Sequence, residues 1–303
     1  MASSELEILA FIRDRFPGGR ELVDDCGALP SPPAGESLLT TTDLMEEGVH
    51  FHPAWHPPEL LGRKLLAVNL SDLDASGARP LGFLLTLALP RGLDDAWLRR
   101  LLEGLAGAAQ DQGIPILGGD TVGRREGIGL GLTAFGSARR WLKRDGLRPG
   151  DGLFVDQPLG RSLRGLRKLQ AGVRWNPAAP DPELAAHLDP RPNLGLGLQL
   201  AELPEVHACL DLSDGLSKDA RWMAEASDVS IELDAALDLD AIQGGEDYAR
   251  CFGASLHQDE LEALLGLPLI HVGRVVAREE QPLFFYDGGQ RRPLSDLSFD
   301  HFR

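Results

Sequence analysis

The stretch Lys64–Pro80, KLLAVNLSDLDASGARP, constrains the fold most. Its spacing predicts a helix with Leu66, Leu70, Leu73 and Gly77 on one face and Asn69, Asp72 and Ser76 on another, Pro80 barring extension. One face packs and the other offers a carboxylate. Four more places set Asp in apolar or Gly-, Ser- and Thr-rich surroundings: Val23-Asp24-Asp25-Cys26, Thr41-Thr42-Asp43, Gly118-Gly119-Asp120-Thr121 and Asp211-Leu212-Ser213-Asp214-Gly215. Taken singly, each reads as readily as a helix cap or an Asx-turn. Caps do not explain both Asp24-Asp25 and Asp211/Asp214, so the acids are expected to meet the Asp72 helix around divalent metal. Mg²⁺ suits such donors, because it takes a few carboxylates, keeps some waters and accepts substrate phosphates. Glycine beside the acids lets phosphate oxygens approach the backbone.

The remaining totals narrow the possibilities. At 303 residues the chain is long enough for two domains. A formal net charge of −16 argues against broad binding of nucleic acid or anionic membrane. It does not argue against small phosphate ligands, provided cations sit between the acids and the phosphate. Cys26, Cys209 and Cys251 lack CxxC spacing and suit reduced thiols in a cytoplasmic protein. The first residues carry Glu5, Glu7 and Asp14 and do not read as a signal peptide, and no apolar run is long enough for a membrane span.

Along the chain, Leu38–Thr42 reads as a strand delivering Asp43 at its end, Gly82–Leu89 as a strand, and Asp94–Gln110 as a helix capped near Asp94 or Asp95. Ile114–Leu117 reads as a strand ending in Gly118-Gly119-Asp120. Gly127–Phe135 alternates Gly with Ile and Leu, which fits a strand with a closely packed neighbour; no helix pattern follows, which disfavours a nucleotide loop. The basic, turn-rich Ala138–Asp151 marks a boundary, giving domains 1–139 and 140–303. The second half reads as strand Gly152–Val155, a helix near Leu159–Ala171, a Pro-rich segment Asn176–Pro192, strand Cys209–Leu212, helix Leu216–Ala226, strands Val229–Leu233 and Pro268–Val276, and a helix near Gln258–Leu265. The class is mixed α and β. No GxxxxGK[ST] occurs and no Lys lies in a Gly-rich loop, which argues against a P-loop kinase, and the protein-kinase motifs are missing.

Together VDDC, TTTDLMEEGVHF, LAVNLSDLDASGARP, LGGDT, LDLSDGLSKD, GGEDY and FDHF resemble bacterial thiamine-monophosphate kinases, of the aminoimidazole-ribonucleotide-synthetase-like superfamily, from about Glu5 to Phe302. The resemblance implies the two-domain fold of that superfamily, a homodimer, and ATP-dependent conversion of thiamine monophosphate to thiamine diphosphate. It implies Asp25, Thr41, Thr42, Asp43, Asp72, Asp120, Asp211 and Asp214 as holders of several Mg²⁺ ions, with Asp72 bridging. It implies Gly119, Asp120, Arg144 and Ser213 at ATP, and His50, Glu246 and Phe299 at the thiamine substrate. Each side chain also has a plain structural reading: His50 as a satisfied histidine, Arg144 as a solvated charge, Phe299 as packing.

The acceptor phosphate has a second pKa of about 6, so it presents an anionic oxygen near neutral pH and needs no strong base. Direct in-line transfer follows, with no nucleophile or base assigned and no phosphoenzyme. The chain departs from the family pattern at Val23, Asp74, Asn193, Gln243 and Arg250; Asp74 is either an added metal ligand or a helix-edge residue. Competing readings are another ATP-using member of the superfamily and a silent metal and nucleotide sensor.

Overall fold

The computed structural model describes residues 4–24, 26–287 and 289–294, so Asp25 and Phe299 lie outside the described residues. The chain divides into two compact units, Met1–Leu73 with Arg79–Arg139 and Arg174–Ala178, and Asp74–Ala78 with Arg140–Val173 and Ala179–Arg303.

The first unit contains α1 (Glu5–Arg15), β1 (Ser37–Glu46), most of α2 (Pro58–Ala75), β2 (Arg79–Pro90), α3 (Asp95–Gln112), β3 (Ile116–Arg124) and β4 (Gly129–Ala138). Its sheet has the order β1-β4-β2-β3. Only β2 and β3 pair in parallel, and α3 makes the crossover that a parallel pair requires. Helices α2 and α3 meet through reciprocal glycines. A Cβ on Gly62 would lie 2.1 Å from the Leu101 carbonyl, and one on Gly104 would lie 2.0 Å from that of Glu59. Neither position tolerates a side chain at this spacing.

Four expectations change. The polar row of α2 is open only in part: Asn69 is fully buried and its Nδ2 donates to the Leu65 carbonyl at 3.0 Å, while Asp72 and Ser76 stay half-buried. Helix α2 ends at Ala75, where Gly77 turns the chain at φ 69°, and Pro80 lies inside β2 beside a register shift. Strand β1 does not end at Asp43, because its ladder with β4 runs unbroken from Ser37↔Ala138 to Glu46↔Gly129. Likewise β3 continues through Gly118-Gly119-Asp120. Gly119 is needed there by close approach: a Cβ would sit 2.0 Å from the Leu85 carbonyl of β2.

Register and burial separate the two faces of this sheet. Phe83, Leu85 and Leu87 of β2 pair with buried Ala134, Leu132 and Leu130 of β4, and Thr41 and Asp43 share that covered face. Thr42, Leu44, Thr86, Asp120 and Val122 fall on the other face and are exposed.

The second unit contains β5 (Gly152–Val155), α4 (Arg161–Gln170), α5 (Pro182–Leu188), α6 (Leu196–Glu202), β6 (Val206–Asp211), α7 (Leu216–Ala226), β7 (Val229–Leu233), α8 (Leu239–Gln243), β8 (Arg250–Ala254), α9 (Gln258–Leu265), β9 (Ile270–Ala277), β10 (Leu283–Asp287) and β11 (Gln290–Pro293). Its seven strands are ordered β11-β10-β7-β9-β5-β8-β6. Both faces are covered. Leu153, Val155 and Cys251 pack with Leu216, Ala220 and Met223 of α7, while Phe154 and Phe252 pack with Leu196 and Leu200 of α6 and Leu261 of α9. The period of two along β5 and β8 thus sorts side chains into two cores.

Candidate active site

In the first unit the structure brings Thr41, Asp43 and Asp72 together. Thr41 Oγ1 donates to Asp72 Oδ2 at 2.5 Å, which ties β1 to α2, and Asp43 stands one same-face position further along β1. Both carboxylates keep partial exposure. Thr42 points the other way: its hydroxyl donates to the Leu132 carbonyl at 3.2 Å and lies 3.0 Å from that of Thr133. His50 closes the turn after β1, its Nδ1 accepting from the Glu46 N–H at 3.0 Å. That leaves the Nε2 edge as donor in the neutral ring. Asp120 is not brought to the group. It sits on the opposite edge strand, about 14 Å away at ~4.8 Å per strand, and its Oδ1 accepts from the Thr121 N–H at 2.9 Å.

In the second unit two loops are zipped together. β6 ends at Asp211 and feeds Leu212-Ser213-Asp214-Gly215 into α7, while Gly244-Gly245-Glu246-Asp247-Tyr248 leads into β8. Glu246 N–H donates to the Ser213 carbonyl at 2.7 Å, Tyr248 N–H to Leu212 at 2.8 Å, and Leu212 N–H to Ala249 at 2.9 Å. Close approach explains the glycines: a Cβ on Gly245 would lie 2.8 Å from the Ser213 carbonyl, and one on Gly215, at φ 112°, would lie 2.8 Å from that of Gln243. Glu246 and Tyr248 both take left-handed backbone, φ 62° and 50°. Such strain in non-glycine residues gathers at functional loops.

The loop acids carry opposed electrostatics. Asp214 Oδ2 pairs with Lys218 Nζ at 2.6 Å. Asp219 is buried and accepts from the N–H groups of Asp214 and Gly215 at 3.1 and 3.0 Å, holding the loop at the start of α7. Its carboxyl is pushed up to about 8, by burial first and then by Asp211 and Asp214. A cation at those acids relieves that repulsion. Asp247 is likewise raised to about 6 by burial, against the pull of the Gly160 and Ser162 N–H groups that it accepts from at 2.5 and 3.1 Å. Arg144 lies apart. Its carbonyl accepts from Ser227 Oγ at the far end of α7, roughly 16 Å of helix from Asp214.

Sequence reasoning missed Asp219, Asp247 and His187. For Asp219 the signal was available, since an acid four residues after Gly215 can turn back onto the loop N–H groups. Asp74 is neither metal ligand nor helix edge. It is 3% exposed, and its Oδ2 accepts from Arg250 Nε at 2.7 Å.

Among the described residues no three His, Cys, Asp or Glu side chains converge closely enough to hold an ion unaided. The donors present are hard oxygens, two partly exposed acids in the first unit and Asp211 and Asp214 in the second. That fits Mg²⁺, whose shell is completed by water and phosphate, and does not fit a closed protein cage. No helix among the described residues is long and apolar enough to cross a membrane.

Comparison with known proteins agrees with this architecture. Residues 23–138 match the family described as AIR synthase related protein, N-terminal domain. The chain is 34% identical to the thiamine-monophosphate kinase of Escherichia coli (strain K12), with 100% of this chain and 99% of that protein covered. It superposes on the crystal structure of thiamine-monophosphate kinase from Stenotrophomonas maltophilia K279a with a TM-score of 0.77 at 33% identity, covering 94% of this chain and 97% of that one. A structure of AaThiL complexed with AMPPCP and TMP gives a TM-score of 0.77 at 28% identity, covering 100% and 99%. With full-length identity of this order and the two-sheet fold in common, the chain belongs to the thiamine-monophosphate kinase family.

Proposed function

We propose that this protein is a Mg²⁺-dependent kinase that transfers the γ-phosphate of ATP to thiamine monophosphate, giving thiamine diphosphate. The observation that carries the reading is the pairing of the two loops in the second unit. Backbone bonds from Glu246 N–H to the Ser213 carbonyl and from Tyr248 N–H to that of Leu212 hold the loop of Asp211 and Asp214, which would serve the phosphates, against the loop of Glu246, which would serve the acceptor. The complex of AaThiL with AMPPCP and TMP supports the choice of both substrates.

Asp43 and Asp72 in the first unit, and Asp211 and Asp214 in the second, would hold Mg²⁺, with Asp25 as a further ligand; Thr41 orients Asp72. Bound Mg²⁺ supplies neutralisation of charge on the transferring phosphoryl group. An anionic oxygen of the thiamine monophosphate bonds to the γ-phosphorus while the bond from that phosphorus to the bridging oxygen of ADP breaks. No side chain needs to take a proton, because the acceptor is already ionised near neutral pH, its second pKa being about 6. Lys218 offsets part of the Asp214 charge. By the resemblance, His50, Glu246 and Phe299 would serve the thiamine portion and Ser213, Gly119, Asp120 and Arg144 the nucleotide; Phe299 lies outside the described residues, and the Arg144 backbone stands at the far end of α7 from Ser213.

A homodimer, placed in the cytoplasm, belongs to the same reading. The exposed sheet face of the first unit carries Leu44 and Val122, 57% and 45% exposed, on edge strands β1 and β3. Apolar side chains on an open sheet call for a cover, and a second copy presenting the same face supplies it. Asp120 lies on that face, so a nucleotide contact through Gly119 and Asp120 would be made where the second copy packs.

The direct experiment is product formation from ATP and thiamine monophosphate, with and without Mg²⁺. Thiamine diphosphate is expected only with the metal. Binding of ATP and Mg²⁺ without diphosphate would remove the substrate assignment. For the dimer, Leu44→Arg is expected to halve the mass seen by sedimentation, and an unchanged mass places the contact elsewhere.

A further inference from the structure

The strained loop before β8 sends its two acids in different directions. Asp247 turns inward to the N–H groups of Gly160 and Ser162 at the start of α4. Glu246 keeps partial exposure, and its Oε2 lies 3.1 Å from Nδ1 of His187 on α5. The same Nδ1 is 3.0 Å from Ser162 Oγ. A ring results, Asp247 to Ser162 to His187 to Glu246, and it closes on two consecutive residues of the loop. His187 is 3% exposed, so its ring is fixed by packing. Gly165 in α4 permits the approach of α5: a Cβ there would lie 2.1 Å from the Glu183 carbonyl and 3.2 Å from His187 Cβ.

The chemistry of the ring sets the tautomer. An ionised carboxylate can only accept, so the His187 nitrogen facing Glu246 carries the hydrogen. The Ser162 hydroxyl is free to rotate and takes the acceptor role toward the same N–H. Glu246 has left-handed backbone, φ 62°, on a short loop, and its carboxylate has a buried donor to fix its aim.

We propose that His187 is the positioning residue for Glu246, holding that carboxylate toward the organic portion of the acceptor, an amino-substituted pyrimidine or a cationic azolium ring. This rests on the reading that Glu246 contacts the thiamine substrate. His187 touches no reacting atom. Its effect falls on recognition of the acceptor and leaves recognition of ATP unchanged.

The test compares His187→Asn, whose amide nitrogen stands near the Nδ1 position, with His187→Gln, whose amide reaches the Nε2 position. His187→Asn is expected to keep KM for thiamine monophosphate within about threefold of the parent, and His187→Gln to raise it about tenfold with KM for ATP unchanged. Combining His187→Gln with Glu246→Gln is expected to add little to the larger single effect, because one interaction is removed twice. Equal behaviour of the Asn and Gln variants, or parallel rises in both KM values, overturns the proposal. Nitrogen NMR of the unaltered protein offers a check independent of variant folding: the proposal requires His187 protonated at Nδ1, and an Nε2-H tautomer overturns it. An unaltered protein that forms no thiamine diphosphate refutes the substrate reading. An active protein indifferent to His187→Gln refutes only the positioning role.

Discussion

Asp72→Asn is expected to lower kcat for thiamine diphosphate formation by about a thousandfold or more, the scale on which preorganised charge stabilisation acts in phosphoryl transfer. The fold should survive. Asn presents a carbonyl oxygen where Asp72 Oδ2 accepts from Thr41 Oγ1, so the tie between β1 and α2 persists. The buried packing of α2 rests on Leu65, Leu66, Leu70 and Leu73, none of which changes. What is lost is one negative charge at a half-buried position beside Asp43. Steady-state kinetics, circular dichroism and Mn²⁺ binding followed by electron paramagnetic resonance check the three parts separately. A normal melting profile with weakened Mn²⁺ binding and no turnover is the expected pattern. Full turnover in the variant would remove Asp72 from the metal site.

The parts of the fold legible in the sequence are those with strong local periodicity. Helix α7 at Leu216–Ala226 and strands β5 and β7 stand where their patterns place them: α7 lays one apolar face on the sheet, β7 sends Val229, Ile231 and Leu233 to that core, and β5 is apolar on both of its covered faces. Strand ends were less legible. Asp43 and Gly118-Gly119-Asp120 look like terminators, yet cross-strand pairing carries β1 and β3 through them. Pairing partners are distant in sequence and leave no local sign. Helix α5 was hidden in a Pro-rich segment, although Asp181 before Pro182 is an N-cap followed by the helix position proline favours. The acids at the site were legible as types; their grouping was not. Thr41 and Thr42 are neighbours in sequence and face opposite sides of a strand, and Arg144 and Asp214 sit at opposite ends of one helix. The departures Asp74 and Arg250, 176 positions apart, are one feature, since each occupies the other.

Arg250→Met is accordingly expected to destabilise the protein by about 3–5 kcal/mol, the usual cost of stranding one partner of a buried ion pair. Arg250 is 0% exposed and donates through Nε to Asp74 Oδ2 at 2.7 Å and through a terminal nitrogen to the Tyr248 carbonyl at 3.0 Å. Asp74 also accepts from the N–H groups of Gly195 and Gly197 at 2.6 and 3.0 Å, which ties the end of α2 to the start of α6. The guanidinium has a second role. Burial raises the Asp156 carboxyl above its ordinary value, and the Arg250 charge opposes that rise. Without the charge, Asp156 rises further above its unfolded value, the folded state holds more protons, and stability falls as pH increases through that range. The variant should therefore lose more stability at pH 8 than at pH 5.5. Adding Asp74→Ala to Arg250→Met removes the stranded acid, so the double variant should be more stable than the sum of the two single losses predicts. Urea unfolding of the parent, both single variants and the double variant at the two pH values measures both effects. Additive losses that do not change with pH would mean that Asp74 and Arg250 meet without coupling, and that the strained Tyr248 turn is held by its loop pairing alone.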